Sequence, residues 1–160
     1  MAGYSGTPLP TKLGIREGHR LCVVGAPRDF GDALGELPVG VTVARSLGAR
    51  PHDVIVTFVK TRAELDERFA AAKARLDPSG GLWVAWPKKA SGIATDVTED
   101  VVRRVALDAG LVDNKVCAID ATWSGLRCVV RLADRPAKAN ANANANANAN
   151  AKANATKKKP

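Results

Sequence analysis

The chain has 160 residues, with 24 Lys and Arg against 16 Asp and Glu, two His and three Cys, for a formal charge of +8. That length suits one domain of ordinary size and excludes a multidomain enzyme. The charge is uneven, because residues 137–160 carry five Lys and no acid, leaving 19 basic against 16 acidic residues, or +3, for residues 1–136.

The division follows from composition. Residues 1–136 hold enough Val, Leu, Ile and Ala to close a core and are expected to form a single α/β domain. Residues 137–160, in which 139–151 are a strict Ala-Asn alternation and 151–160 add lysines, hold no large apolar side chain and are expected to be a disordered Ala/Asn/Lys-rich tail. Cys22, Cys117 and Cys128 are odd in number and sit in apolar contexts (RLCVV, KVCAI, LRCVV), which predicts buried free thiols in a reducing compartment. A zinc site requires clustered Cys and His; there is no CxxC, and His19 and His52 stand alone, so no metal site is expected. The N-terminal segment lacks the pattern of a secretory signal, and no apolar stretch reaches the roughly 18 residues of a membrane span. A cytoplasmic protein with no membrane partner is expected.

Taken in chain order, residues 21–24 (LCVV) read as a short buried strand stopped by Gly25-Ala26-Pro27. Phe30, Ala33, Leu34 and Leu37 recur at helical spacing over 28–37, weakened by Gly31 and Gly35 and ended by Pro38. A second strand follows at 41–44, and the β-branched run 54–59 (VIVTFV) predicts a strand covered on both faces. Over 62–76 Leu65, Phe69, Ala72 and Leu76 recur at steps of four, three and four with charges between them, an amphipathic helix on which Glu64 and Arg68 can pair. Asp77-Pro78-Ser79-Gly80-Gly81 reads as a stop, and 82–86 as the next strand.

Asp96, with Glu99 three residues on, predicts a capping box that opens a second long helix, and Gly110 is placed for a left-handed C-terminal cap. Residues 115–119 and 126–132 then read as an antiparallel strand pair joined by a six-residue loop, 120–125. Strands separated by helices predict an α/β sheet with parallel members and helices on both faces. The order is similar to a small Rossmann-like three-layer sheet of the class I methyltransferases, in reduced form, finished by a C-terminal antiparallel strand pair.

The motifs of known chemistry are missing. The first strand enters GAPRDFG rather than GxGxxG, Pro27 withholds one backbone N–H, and Arg45, Ser46 and Arg50 follow the second strand where an acid for a ribose would be wanted. GxxxxGK[ST], GxSxG and HExxH are absent. No catalytic residue and no identified cofactor follow from the residues. In open α/β sheets ligands sit beyond the carboxyl ends of the strands. Three loops meet that rule, 25–28, 60–62 and 86–96, and they supply Arg28, Lys60, Arg62, Lys88, Lys89 and Ser91. The candidate ligand-binding residues are Lys88, Lys89, Ser91, Trp86 and Arg28. Trp83 and Trp86, three apart on one strand, must point to opposite faces; Trp83 is read as core, and Trp86 as a cover for a ligand or a cap on the sheet. His19 and His52 fall at the amino ends, away from that site.

The segments GYSGTPLPTKLGI, LWVAWPKKASG, TEDVVRRVALDAGLVDNKVCAID and TWSGLRCVVRL, in this order, resemble the bacterial, mainly actinobacterial, domain of unknown function 3052 family over residues 1–135. The resemblance implies that WPKKASG and DxTWSGL are family hallmarks, here 86–92 and Asp120 with 122–126. It implies no substrate, cofactor or catalytic residue, and the Ala-Asn tail departs from the family's pattern. The leading expectation is therefore a non-catalytic α/β domain that binds a small anionic ligand or a protein partner at the carboxyl ends of its strands. The alternatives are a nucleic-acid-associated accessory protein, making weak and salt-sensitive contact through the lysine tail, and a divergent S-adenosylmethionine-dependent methyltransferase.

Overall fold

The computed structural model describes residues 7–136. The expected disordered tail and the first six residues lie outside the described residues. A short helix α1 (Leu9–Leu13) precedes β1 (Arg20–Val24), α2 (Phe30–Leu34), β2 (Thr42–Ala44), β3 (His52–Phe58), α3 (Arg62–Ala74), β4 (Leu76–Pro87), α4 (Glu99–Asp108), β5 (Leu111–Ala118) and β6 (Trp123–Val130). The six strands form one sheet in the order β2-β1-β3-β4-β6-β5. β1 to β4 pair in parallel, and β6 is antiparallel to both β4 and β5. The α/β sheet with a closing antiparallel pair is thus as expected.

Two apolar clusters sandwich the sheet. On one face α3 and α4 present Leu65, Phe69, Ala72, Val102, Val105 and Ala106 to Ile55, Leu82, Val84, Trp86 and Leu126. On the other, α1 and α2 place Leu9, Leu13, Phe30 and Leu34 over Leu21, Val54, Val56, Phe58 and Trp83. Period-two alternation along β4 sends Trp83 and Trp86 to opposite faces, as the strand pattern required. Burial of Cys22 and Cys128 agrees with the reading of structural thiols, and burial pushes the Cys128 thiol up to about 12. Cys117 is only half-buried.

The structure corrects the sequence reading at four places. α1 carries no periodic signal, yet Leu13 is fully buried and its carbonyl accepts the indole N–H of Trp83 at 3.0 Å. The stop at Asp77–Gly81 is instead part of β4. His52 pairs with Leu76 and Val54 with Gly81, so Asp53 alone faces the four residues 77–80, a bulge held by Asp77 Oδ1, which accepts from the N–H and hydroxyl of Ser79. The hydroxyl of Thr98, not Asp96, caps α4 by accepting from Val101 N–H. Asp96 accepts from the Arg62 N–H at 2.8 Å, the first residue of α3, so it satisfies a free donor of a different helix. Lastly, the strand pair is longer and its connection shorter, residues 119–122, because Asp120 Oδ1 accepts from Thr122 and Trp123 N–H at 2.8 Å each and turns the chain early. Gly110 does take the left-handed conformation, at φ 89°, that the C-terminus of α4 requires.

Candidate functional site

The strand order reverses between β1 and β3: the chain leaves β1 toward the β2 edge and leaves β3 toward β4. Their carboxyl ends therefore frame the crevice where open α/β sheets take ligands. On its β1 side Gly25 has φ 70°, and a Cβ there would stand 2.5 Å from Arg68 Nη1 and 3.2 Å from the Phe58 carbonyl. On its β3 side Arg68, reaching back from α3, donates from Nη1 to that carbonyl at 2.5 Å and lies 3.7 Å, from Nη2, to Glu64 Oε2.

Glu64 is the reciprocal member of a capping box with Thr61. Its Oε1 accepts from the N–H groups of Lys60, at 2.7 Å, and Thr61, at 3.3 Å. The Lys60 N–H, then the Thr61 N–H and the nearby cations, outweigh burial and hold its carboxyl below the usual range. A guanidinium and an ionised carboxylate thus stand side by side, half-buried, at the mouth of the crevice. The loop after β3 is in turn fixed from outside by Thr95, whose hydroxyl donates to the Lys60 carbonyl at 2.5 Å, and by Asp96.

The residues singled out from the sequence are divided between two places. Arg28 is exposed on the loop after β1. Lys88, Lys89 and Ser91 follow β4, with β3 between, and no hydrogen bond or ion pair among the described residues joins the two groups. The Ser91 hydroxyl donates to the Lys88 carbonyl at 2.6 Å and accepts from Ile93 N–H at 3.1 Å, so it shapes its own turn. Lys89 is exposed and Lys88 half-buried. Trp86 is 7 % exposed, inside the apolar cluster beneath α3 and α4. Trp123 opens β6 and meets Phe58 edge-to-face, ring centres 5.0 Å apart. The WPKKASG and DxTWSGL segments are neighbours: Pro87 pairs with Trp123, and Lys88 N–H donates to the Thr122 carbonyl at 2.8 Å.

The sequence predicts the Glu64–Arg68 pair, which the structure bears out, but not its place at the crevice, since charges on the polar side of an amphipathic helix read as solvated. The available signal was Gly25, a glycine directly after a buried strand.

No family model matches the chain, and no curated protein matches it in sequence. Its fold is shared with solved methyltransferase structures. The S-adenosylmethionine-dependent methyltransferase of Aquifex aeolicus superposes with a TM-score of 0.50 at 17% identity, covering 76% of this chain and 87% of that one. A protein from Thermoplasma acidophilum assigned as a methyltransferase gives 0.51 at 9% identity over 79% and 75%, and the DhpI–SAH complex 0.52 at 9% over 78% and 83%. The fold is the Rossmann-like α/β fold of the methyltransferases. This overturns the leading expectation of a non-catalytic domain that binds an anion or a protein at the strand ends: solved structures that share the fold are named as methyltransferases, and the methyltransferase alternative fits them better.

Proposed function

We propose that the chain is a divergent S-adenosylmethionine-dependent methyltransferase, with the methyl donor seated in the crevice between β1 and β3. The observation that supports this reading is the pairing of Arg68 and Glu64 beside Gly25 at the reversal of strand order. A cation and an anion side by side are the complement of a zwitterionic amino acid, and the missing Cβ at Gly25 is what lets the Arg68 guanidinium reach the end of β1. The residues fit the amino-acid half of such a donor: Arg68 would hold its carboxylate and Glu64 its ammonium group.

They do not fit its ribose, since β2 is followed by Arg45 and Ser46 rather than an acid, and Pro27 withholds an N–H. When bound, the donor supplies a methyl group activated by a sulfonium. The chain's own part is to hold donor and acceptor in line, where orientation lowers the barrier. The same reading takes residues 1–135 as a member of the domain of unknown function 3052 family, on WPKKASG and DxTWSGL, and the chain as a cytoplasmic protein.

Titration calorimetry of the full chain with S-adenosylhomocysteine and S-adenosylmethionine tests the proposal. Saturable binding is expected, weakened about tenfold or more by Arg68→Met or Glu64→Gln, as loss of one charged hydrogen-bond partner entails. No saturable heat with either compound at millimolar concentration would refute it.

A further inference from the structure

At the opposite end of the sheet a cavity of about 490 Å³ opens among the amino ends of the strands, walled by α1, the β4 bulge and β5. Among the described residues four permanent cations line it, Lys12, Arg16, Lys115 and Arg127, against a single carboxylate, Asp53. One oxygen of Asp53 is already engaged, accepting the Arg20 N–H at 2.8 Å.

Arg127 is the decisive residue. It lies on β6 in register with Trp83, half-buried, and its guanidinium covers Gly81, where a Cβ would collide with it. Among the described residues no acid, carbonyl or hydroxyl pairs with it. Burial, then the like charges of Arg135 and Arg16, depress its pKa from the usual value. A half-buried guanidinium held against other cations costs stability in the empty protein, and that cost persists only where something offsets it. The other cations are steadied for the same space: Lys115 Nζ donates to the Lys12 carbonyl at 3.0 Å and Lys12 Nζ to the Ala118 carbonyl at 3.3 Å. His19 accepts the Arg16 N–H at Nδ1, so in the neutral ring the Nε2 proton remains to be donated.

We infer that this cavity is a binding site for a small molecule carrying a phosphomonoester or diphosphate group. A net charge of about three suits a polyvalent anion better than a single carboxylate. Donors converge from α1, β5 and β6, the arrangement that several phosphate oxygens require. The volume exceeds what an inorganic ion fills and falls in the range of small-molecule sites, so an organic body accompanies the anion.

The test uses the full chain and inorganic pyrophosphate, with sodium chloride adjusted to constant ionic strength so that screening alone moves nothing. A saturable rise in melting temperature is expected. It should disappear in Arg127→Met and weaken about tenfold or more in Lys115→Gln, an exposed position whose loss leaves the core intact. Lys89→Ala, at the other end of the sheet, should respond as the wild type does. Arg127→Met should also melt higher than wild type without pyrophosphate, because a half-buried guanidinium facing like charges has been removed. A wild type with no saturable shift, or an Arg127→Met and Lys115→Gln pair that both keep it, would overturn the inference.

Discussion

His52 shows how much one side chain constrains. It begins β3, is 1 % exposed, and accepts the Gly48 N–H at Nε2 over 3.4 Å. The neutral ring therefore carries its proton on Nδ1, a buried donor with no partner among the described residues. Burial first, and then the Arg20 charge, lower its pKa from 6.5, with Asp53 opposing. The unfolded chain thus takes up the proton at higher pH than the folded one, so stability is complete above 6.5 and is lost as pH falls from there toward the folded value. Between about pH 8 and about pH 5 the melting temperature of the wild type should drop more steeply than that of His52→Gln. Parallel profiles would show that another group carries the dependence. The composition exposed none of this: a lone histidine ahead of an apolar run looks the same whether its ring is solvated or sealed. The positions that Arg68 and Arg127 take were hidden for a related reason, since their neighbours in space, Gly25 and Gly81, lie 43 and 46 positions away in sequence.

Among the elements, those with a strong period were legible and those defined by a distant partner were not. α3 announced itself through Leu65, Phe69 and Ala72, and β3 through its unbroken β-branched run, because each buries a face wide enough to repeat. α1 has five residues and a proline within it, too few turns to display a period. The Pro-Ser-Gly-Gly run before Leu82 has the composition of a turn whether the chain reverses there or only bulges. Asp96 is the instructive case: its local spacing suggested α4, whereas its carboxylate reaches the first N–H of α3. Asp96→Ala and Thr61→Ala are each expected to cost about 1 kcal/mol, as loss of a helix cap does. In both variants amide exchange should accelerate at 62–66 and stay slow at 99–103. Faster exchange in the first turn of α4 would return Asp96 to the role its spacing suggested.

At the scale of the molecule, the sheet is a shared wall between two apolar clusters, so neither can be dismantled alone. Leu13 has no exposed surface and is joined through its carbonyl to Trp83 in the central strand β4. Leu13→Ala should therefore lower the global free energy of unfolding by about 2–5 kcal/mol. Tryptophan emission and far-ultraviolet ellipticity should still change together in urea, and a separate early transition confined to α1 would contradict this. The arrangement of strands was legible as a class because helices alternating with strands leave few alternatives. The site was legible only as a place, the carboxyl ends, since the rule that finds it says nothing of which side chains return from the helices.

The position of β6 has a consequence for how the chain is made. Among the described residues it is the last strand to be synthesised, yet it lies between β4 and β5 and is the only one that pairs with β5. Until residues 123–130 have left the ribosome, β5 has no neighbour and β4 offers a bare edge flanked by Leu82, Val84 and Trp86. A nascent chain halted before Trp123 is consequently a sheet with a sticky margin, so the quality of the finished protein depends on how quickly synthesis passes that point.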